Sequence, residues 1–325
     1  MSEKILILGG ARFHGFQLAE SLAKKGKNVS VLNRGNFRLK YPENIKHLIV
    51  DRNNQDQLKD ILKDKKFDIV VDNNAYNPSQ INILLEILKD NFNHYIFTSS
   101  VAVYMKLFSE TGLKEEEATG IQEDTYHPGV KNYSLKKFAA EQAIRSQIKN
   151  KFTILRFPDI YGKGDFARKL TFFKKRIENN GKILLEEEVK KFSFINVDDV
   201  VKIFENVIGN KKCFRHTINF SDPKPFSYDE FFSTIYGDLY SKERVFFMPA
   251  QKMWDSGYLN NFTWNPVVNL NLSEKLMGKI KYTPFDKWSK ETLNWEDENP
   301  SSNLTFKWNA LRKIELNLLK KLEKG

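Results

Sequence analysis

A tyrosine and a lysine stand four residues apart where a helix-forming segment begins. Of the twelve tyrosines, Tyr133 alone is followed four positions later by a lysine, Lys137. Residues at this spacing share one face of a helix. A phenol has an unperturbed pKa of about 10, and an ammonium beside it favours the phenolate. The pair therefore predicts an acid/base group that works near neutral pH, with an ordinary helix surface pair as the alternative.

Hydroxyl side chains end the fifth predicted strand, in the run Thr98-Ser99-Ser100. The carboxyl edge of a parallel sheet is where ligands bind in α/β folds. We select Ser100 as the second hydroxyl, which would hydrogen-bond the substrate oxygen that Tyr133 protonates or deprotonates. Ser99 and Thr98 remain alternatives, and an ordinary strand-end serine is the simplest interpretation of each.

A glycine-rich loop follows the first predicted strand and leads into a helix, with the sequence Gly-Gly-Ala-Arg-Phe-His-Gly over residues 9–15. In this context glycines let the backbone approach a pyrophosphate at a helix N-terminus. Gly9 and Gly15 fit the spacing, and Phe13 belongs to the same predicted site. Arg12 stands where many such loops carry a glycine, so its side chain either leaves the turn or faces the adenosine phosphate. The alternative is a purely structural turn.

The end of the second predicted strand bears on the choice of dinucleotide. An acidic residue normally holds the ribose hydroxyls of NAD at this place, but the chain has Asn33 and Arg34. A guanidinium matches the geometry of a 2′-phosphate. We therefore favour NADP as the cofactor, with NAD as the other option and an exposed loop cation as the other interpretation of Arg34.

Four further positions complete the predicted cofactor site. Asp51, after the third strand, is placed to accept a hydrogen bond from the adenine amino group, and a turn residue is the equal alternative. Ala75 follows the fourth strand and would lie over the middle of the cofactor. Phe157 ends the sixth strand, and Lys137 would hold the nicotinamide ribose in addition to its role beside Tyr133.

These residues require a sheet with helices on both faces. Predicted strands cover residues 5–8, 29–32, 47–50, 69–71, 95–98 and 152–157, and predicted helices cover residues 16–25, 55–63, 79–89 and 134–149. The alternation predicts an α/β fold, a doubly wound parallel sheet of Rossmann type with a smaller, less regular C-terminal substrate lobe. We place the dinucleotide-binding domain at residues 1–160, with residues 192–208 returning to it, and the substrate lobe at 161–325.

The second lobe is harder to interpret because proline, glycine and aromatic residues are frequent in it. We predict helices over residues 166–179 and 303–324, and over 192–208 a strand followed by a helix that an aspartate caps. The first of these helices carries Arg168, Lys169, Lys174, Lys175 and Arg176. These cations could meet a substrate diphosphate or form a solvated face. Four tryptophans, Trp254, Trp264, Trp288 and Trp295, could stack on a base or sugar or could be packing residues.

The composition limits which nucleic-acid, metal and membrane functions can be expected. The 52 basic and 41 acidic residues give a net charge of +11, which can attract nucleic acid or a phosphorylated substrate. The basic residues are dispersed, which favours a solvated surface. The single cysteine, Cys213, excludes an internal disulfide and a cysteine-cluster metal site, and we expect no metal. The N-terminal apolar run is too short for a signal peptide, and we expect a cytoplasmic protein with no membrane contact.

Tyr133, Lys137 and Ser100, in this order after a glycine-rich loop, resemble the extended short-chain dehydrogenase/reductase family, that is, the NAD-dependent epimerase/dehydratase group. The resemblance continues through residues 156–165 and 192–199 and covers most of residues 4–208. The loop and the Asn-Arg-Gly end of the second strand are most similar to a branch that contains chloroplast stem-loop RNA-binding proteins.

The resemblance implies that Tyr133 is the acid/base, that Lys137 lowers its pKa, and that Ser100 positions the carbinol. It implies an NAD(P)-dependent oxidoreductase or epimerase for a secondary alcohol or ketone in a nucleotide-activated sugar. Sugar 4,6-dehydratases carry an Asp-Glu pair after the hydroxyl residue, whereas Val101 and Ala102 stand here, so a dehydratase is disfavoured. The rival hypothesis is an RNA-binding or regulatory protein on the same fold. A homodimer is left open.

Overall fold

Strands alternate with helices in the computed structural model, which describes residues 2–37, 40–105, 109, 111–120, 128–178, 181–258, 265–300 and 305–323. The strands are β1 (Lys4–Leu8), β2 (Asn28–Asn33), β3 (Ile45–Ile49), β4 (Ile69–Asp72), β5 (His94–Ser100), β6 (Phe152–Phe157), β7 (Asp159–Tyr161), β8 (Ile183–Glu186), β9 (Phe194–Asn196), β10 (His216–Asn219) and β11 (Val245–Met248). The helices are α1 (Phe13–Lys24), α2 (Gln55–Leu62), α3 (Pro78–Leu88), α4 (Pro128–Gln147), α5 (Lys169–Glu178), α6 (Val197–Val207), α7 (Tyr228–Tyr236), α8 (Ala250–Asp255), α9 (Asn271–Met277), α10 (Phe285–Glu298) and α11 (Thr305–Leu322).

One parallel sheet forms the centre of the fold, with strand order β10-β6-β5-β4-β1-β2-β3. One apolar core packs α1 and α6 on the first face of the sheet, and a second core packs α2, α3 and α4 on the other. Strands that are buried on both faces are predominantly apolar, which explains why β1, β4 and β6 stand out in the sequence. The predicted doubly wound α/β fold is confirmed.

The strand order reverses between β1 and β4, and this reversal places the candidate site. In open α/β sheets ligands bind beyond the carboxyl ends of the strands at such a switch point. The glycine-rich loop after β1 therefore lies beside the loop after β4. The hydroxyl-bearing end of β5 is next along the same edge, because β5 pairs with β4.

Strand β10 lies outside the predicted set. It extends the sheet at β6, with Ile218 paired to Leu155. Ile218 is the only large apolar residue in the four-residue segment, so the pattern of a buried strand is absent from the sequence there. The strand is recognisable only from its pairing.

Two helix starts in the second half differ from the predictions. Helix α6 is capped by Asn196, whose side chain accepts a hydrogen bond from the backbone N–H of Asp198, so the predicted aspartate cap is wrong. Asp199 instead accepts hydrogen bonds from the backbone N–H and hydroxyl of Thr283. Helix α5 begins at Lys169 and not at residue 166, because Arg168 has a left-handed backbone with φ of +50°.

The second lobe is packed around aromatic rings. Phe194 and Phe231, for example, approach each other with ring centroids 5.3 Å apart. Trp254 and Trp288 are buried in apolar clusters, and Trp295 lies under the guanidinium of Arg168 at 4.3 Å. These three tryptophans are therefore packing residues. The fourth, at position 264, lies outside the described residues, as do 303, 304 and 324 of the predicted final helix and 179 of the predicted first one.

In the part of the chain that the structure describes, no helix has the length and apolarity needed to cross a bilayer.

Candidate active site

The glycine-rich loop between β1 and α1 is closely packed on itself. Gly9 has φ of +86°, and a Cβ on Gly15 would lie 2.5 Å from the carbonyl oxygen of Gly9. That approach is closer than any side chain permits, so the loop requires glycine at both positions. The loop brings the N-terminus of α1 to the edge of the sheet, where it can hold an anion.

The backbone conformation at Arg12 does not require the glycine that many such loops carry at this position. Its backbone is extended, with φ of −150°, a conformation open to any residue. The next residue, Phe13, takes the left-handed conformation instead, with φ of +46°. The guanidinium of Arg12 stacks on the ring of Phe37 at 3.6 Å and faces the ring of Phe166 at 4.9 Å. The Arg12 side chain therefore points out of the turn and spans from the loop after β2 to the segment before α5.

A groove of about 450 Å³ runs from the glycine-rich loop across the ends of β2, β3 and β4. Its walls include Gly9, Arg12, Phe13, His14, Asn33, Arg34, Phe37, Asp51, Arg52, Asn73, Asn74, Tyr76, Gln80 and Phe166. The structure thus brings Gly9, Arg12, Phe13, Asn33, Arg34 and Asp51 of the predicted cofactor set to one groove.

Asn33 and Asp51 are both engaged by their own loops. The Asn33 side chain accepts a hydrogen bond from the backbone N–H of Gly35 and donates one to the hydroxyl of Tyr41. Asp51 accepts hydrogen bonds from the backbone and side-chain amides of Asn53, at 2.9 Å each. Asp51 is therefore a turn residue that also borders the groove. Arg34 is exposed beside Asn33, and burial together with the charge of Arg34 lowers the pKa of the nearby Arg12.

An unpredicted ion pair holds the loop after β4. Both guanidinium nitrogens of buried Arg52 bond to the carboxylate of Asp72, at 2.7 and 2.9 Å. Asp72 also accepts the backbone N–H groups of Asn74 and Ala75, and the hydroxyl of Tyr95. The carboxylate thus fixes the backbone of the loop. The one sequence signal was a charged residue at the end of an apolar strand.

Ala75 lies beneath the groove. It is fully buried, and its carbonyl oxygen accepts a hydrogen bond from Lys137. The side chains of Asn73, Asn74 and Tyr76 form the groove wall at this place. Ala75 thus follows β4 in a loop that borders the groove, and its backbone contributes to the support of Lys137.

A second cavity, of about 490 Å³, adjoins the groove and is lined by the residues that the sequence predicts to be catalytic. Ser100, Tyr133, Lys137 and Phe157 all line it. The Ser100 side chain is near enough to the Tyr133 hydroxyl to act on its pKa, in the lowering direction. The structure therefore assembles the three residues from the end of β5 and one face of α4.

Of the three hydroxyls at the end of β5, the structure directs only that of Ser100 to Tyr133. Ser99 donates to Glu141 at 2.6 Å, and Thr98 donates to Asn73 at 2.6 Å. The Ser100 oxygen also accepts the backbone N–H of Ala102 at 3.2 Å. Ser99 and Thr98 thus hold the surrounding framework.

Lys137 is fixed by backbone carbonyls at the bottom of the cavity. Its ammonium donates to the carbonyl oxygens of Ala75 and Thr98, at 2.8 Å each. An ammonium has three donors, so these two contacts with the described residues leave a third for a ligand. Burial lowers the pKa of Lys137 to about 8, although the charge of Asp72 acts in the opposite direction.

The structure does not show the lowering of the Tyr133 pKa that was expected from Lys137. The pKa of Tyr133 lies above its ordinary value, because burial and the neighbouring Tyr76 oppose the phenolate. The Ser100 side chain acts in the lowering direction but does not reverse the shift. The Lys137 ammonium is turned to the two strand-end carbonyls, so its support of the phenolate is not evident in this arrangement.

Acidic residues that the sequence interpretation missed line the same cavity. Asp159 follows β6, and burial raises its pKa to about 6. Asp165 pairs with Lys169 at 2.9 Å, and both side chains are largely buried. Asp159 and Asp165 follow Phe157 within ten positions, and their clustering just beyond a strand end was the available signal.

The basic helix α5 is largely paired within the protein. Lys169 binds Asp165, Lys174 binds Asp297 at 2.8 Å, and Arg176 is buried in an ion pair with Glu315. Arg168, just before the helix, donates to the carbonyl oxygens of Glu296 and Asn299. These four cations are bonded within the protein, so they form neither a free diphosphate site nor a simple solvated face.

Below the cavity, a buried carboxylate supports the face of α4 that carries Tyr133 and Lys137. Glu141 is one helical turn beyond Lys137, and both of its oxygens bind the guanidinium of Arg156, at 2.9 and 2.7 Å. Arg145 and Ser99 also donate to Glu141. This pairing joins α4 to β5 and β6.

The switch-point groove, the glycine-rich loop and the helix N-terminus define a dinucleotide-binding protein of Rossmann type. A model of the NAD dependent epimerase/dehydratase family matches residues 5–219, and the chain belongs to this family. Its members use a nicotinamide cofactor, and the residues of the groove and of the adjoining cavity fit such a group: the loop permits close backbone approach, and Lys137 retains a donor at the junction.

Individual relatives are distant. The chain is 29% identical over 241 residues to the chloroplast stem-loop binding protein of 41 kDa b from Arabidopsis thaliana, a match that covers 70% of this chain and 61% of that protein. The chain thus spans about three-fifths of the length of this relative. Among solved structures, UDP-glucose 4-epimerase of Thermotoga maritima with UDP-glucose superposes with a TM-score of 0.69 at 16% identity, covering 90% of this chain and 98% of the other. Enzyme WbmG of Bordetella bronchiseptica, with NAD and UDP, gives 0.73 at 16% identity, with 92% and 95% covered.

Proposed function

We propose that the chain is an NAD(P)-dependent epimerase or reductase that acts on a secondary alcohol or ketone of a nucleotide-activated sugar. The observation that carries the proposal is that Ser100, Tyr133 and Lys137 line one cavity, which opens onto the dinucleotide groove. Lys137 lies one helical turn from Tyr133 on the same face of α4. An acid/base group thus lies where a substrate would meet the nicotinamide.

The side chains divide the chemistry as follows. Tyr133 removes or supplies the proton of the carbinol oxygen, and Ser100 holds that oxygen by a hydrogen bond. Lys137 uses its third donor to orient the cofactor. The nicotinamide, when bound, accepts or returns the hydride of the carbinol carbon. Phe157 and Tyr76 contribute aromatic walls to the cavity.

The class of substrate rests on the relatives and on the cavity. Two of the superposed enzymes were solved with UDP or UDP-glucose. Val101 and Ala102 are buried apolar residues, so they supply no acid next to Ser100. For this reason an epimerase or reductase is favoured over a 4,6-dehydratase.

Turnover of nucleotide sugars tests this proposal. We expect the purified protein, incubated with a panel of UDP- and dTDP-hexoses and either NAD⁺ or NADPH, to convert at least one of them. Nuclear magnetic resonance of the product would separate epimerisation, in which the cofactor is regenerated, from reduction, in which NADPH absorbance at 340 nm falls by about one equivalent. Absence of any conversion across the panel would reject the nucleotide-sugar class.

We further propose NADP as the preferred dinucleotide, because Arg34 and Arg12 lie close together at the groove and the end of β2 lacks a carboxylate. A 2′-phosphate would relieve the repulsion between the two guanidinium groups. Replacing Arg34 by glutamine is expected to raise the Kd of NADP⁺ by about ten- to a hundredfold, the usual weight of a hydrogen bond to a charged group. The Kd of NAD⁺ should not change.

Isothermal titration calorimetry measures both constants. Arg244→Gln is the matched control, because Arg244 is an exposed arginine of the second lobe and its loss changes the net charge equally. Equal affinity of the wild type for the two dinucleotides, or an equal loss for both in Arg34→Gln, would contradict the NADP preference.

RNA binding is the second candidate, and the similarity to the chloroplast stem-loop binding protein favours it. The paired cations around α5 count against a free basic surface there. Salt-dependent retention of a stem-loop RNA that persists in Tyr133→Phe, without nicotinamide binding, would favour this candidate over the enzyme.

A further inference from the structure

The side chain of His14 lies between the two parts of the site. It is the second residue of α1, directly before Gly15, and it borders both the dinucleotide groove and the catalytic cavity. Its ring is parallel to that of Phe204 within 3°, with the centroids 6.4 Å apart. The imidazole is thus held from behind by an apolar partner at the junction of the two spaces.

Both ring nitrogens of His14 are shielded and have no hydrogen-bond partner among the residues that the structure describes. The contrast with His94 is informative, because that buried imidazole has Thr153 at one nitrogen and the backbone N–H of Gly209 at the other. Native proteins rarely leave buried polar atoms unpaired, so His14 requires a partner that the chain does not provide in this conformation.

The chemistry of the ring limits that partner. Burial and the positive charge of Lys137 lower the pKa of His14 to about 4, so the imidazole is neutral at physiological pH. A neutral imidazole offers one donor and one acceptor. Hydroxyl groups match both functions, whereas the oxygens of an ionised diphosphate only accept. His14 and Lys137 line the same cavity, beside the end of the groove where the cofactor ribose is expected.

We infer that His14 is a cofactor-binding residue that hydrogen-bonds the hydroxyl groups of the nicotinamide ribose, opposite Lys137. A half turn about its Cβ–Cγ bond would exchange the ring nitrogens with the ring carbons, so that nitrogens would stand where carbons now lie in a residue that borders both spaces. With Lys137 on one side and His14 on the other, the ribose is fixed relative to Tyr133. The inference rests on the nicotinamide cofactor of the proposed function.

Three ligands of increasing length would show which part of the cofactor His14 contacts. ADP contains the diphosphate, ADP-ribose adds the second ribose, and NAD⁺ adds the nicotinamide; the 2′-phosphorylated series replaces them if the wild type prefers NADP⁺. In His14→Leu the Kd of ADP-ribose and of NAD⁺ should rise by about tenfold, whereas that of ADP should not change. His14→Asn, which keeps a donor and an acceptor, should recover part of the loss. Calorimetry gives the constants.

A spectroscopic measurement on the wild type makes the test independent of the stability of the variants. In protein with ¹⁵N-labelled histidine, ADP-ribose should shift the ring nitrogens of His14, and ADP should not. An equal loss of ADP and ADP-ribose binding in His14→Leu would place His14 at the diphosphate or in loop folding and overturn the inference. Unchanged binding of all three ligands would also overturn it. If the wild type binds none of them, the cofactor proposal itself fails.

Discussion

Replacing Tyr133 by phenylalanine is expected to lower kcat by about 10²- to 10⁴-fold, the usual contribution of a positioned acid/base group. The phenyl ring retains the packing against Tyr76, whose ring centroid is 6.4 Å away, but the hydroxyl in the cavity that Ser100 also lines is lost. The proton of the carbinol then has no acceptor in the cavity at the right position. Steady-state kinetics on a nucleotide sugar that the wild type converts would measure the loss.

Cofactor affinity is the internal reference for this experiment. The groove and Lys137 do not depend on the Tyr133 hydroxyl, so the Kd of the dinucleotide should stay within about twofold of the wild-type value. Tyr240→Phe removes a phenolic hydroxyl that bonds Asp229 in the second lobe, and it should leave kcat unchanged. A Tyr133→Phe enzyme with wild-type turnover would show that the acid/base role belongs to another group.

Asp159 is the first alternative in that case. Its pKa of about 6 and its place in the same cavity would let a carboxylate exchange protons near neutral pH. Lys169 and Asp165 set its charge environment, Lys169 favouring the carboxylate and Asp165 opposing it. Rates governed by Asp159 would rise through about pH 6 if it acts as a base, whereas a Tyr133-dependent enzyme would show its main ionisation at higher pH.

The sheet was predictable from sequence because burial on both faces leaves a strong pattern. β1, β4 and β6 are apolar at nearly every position, and each is found within one residue of its predicted bounds. β10 could not be found in this way, since its single large apolar residue gives no pattern and its paired residues in β6 lie 63 positions earlier. Edge strands of this kind depend on tertiary contacts that local sequence does not encode.

The same distinction between local pattern and tertiary contact holds for the residues of the candidate site. Tyr133, Lys137 and Ser100 could be selected because a four-residue spacing and a strand end are local features. Arg52 and Asp72, in contrast, resemble surface charges in the sequence, and only the fold shows that they are buried against each other. Glu141 had a local signal that was not used, since it continues the four-residue spacing of Tyr133 and Lys137 along α4.

Glu141 also gives the largest expected effect on stability. Replacing it by glutamine is expected to lower the free energy of unfolding by about 3–5 kcal/mol, the usual cost of removing one partner of a buried ion pair. Glu141 and Arg156 are both almost completely buried, so the guanidinium would lose its counter-charge in a place that water cannot reach. Urea denaturation followed by circular dichroism measures the change.

A surface pair provides the control. Lys25 and Glu205 form a salt bridge at 2.7 Å in which the lysine is 56% exposed. Lys25→Gln should cost no more than about 1 kcal/mol, because exposed pairs gain little in water. If Glu141→Gln cost as little as Lys25→Gln, the buried carboxylate would not be the support of α4 that its contacts indicate.

The dependence on pH separates the charge of Glu141 from its packing. Arg156 and Arg145 hold the pKa of Glu141 below its ordinary value of 4.5, against the effect of burial. A carboxyl group with a lowered folded-state pKa stabilises the protein above its unfolded-state pKa, and this stability is lost as pH falls through the folded-state value. The difference in unfolding free energy between wild type and Glu141→Gln should therefore be full at pH 7 and shrink in acid. A difference that is constant with pH would mean that glutamine disturbs the shape of the site and not its charge, and the link from Glu141 through α4 to Lys137 would then be one of packing.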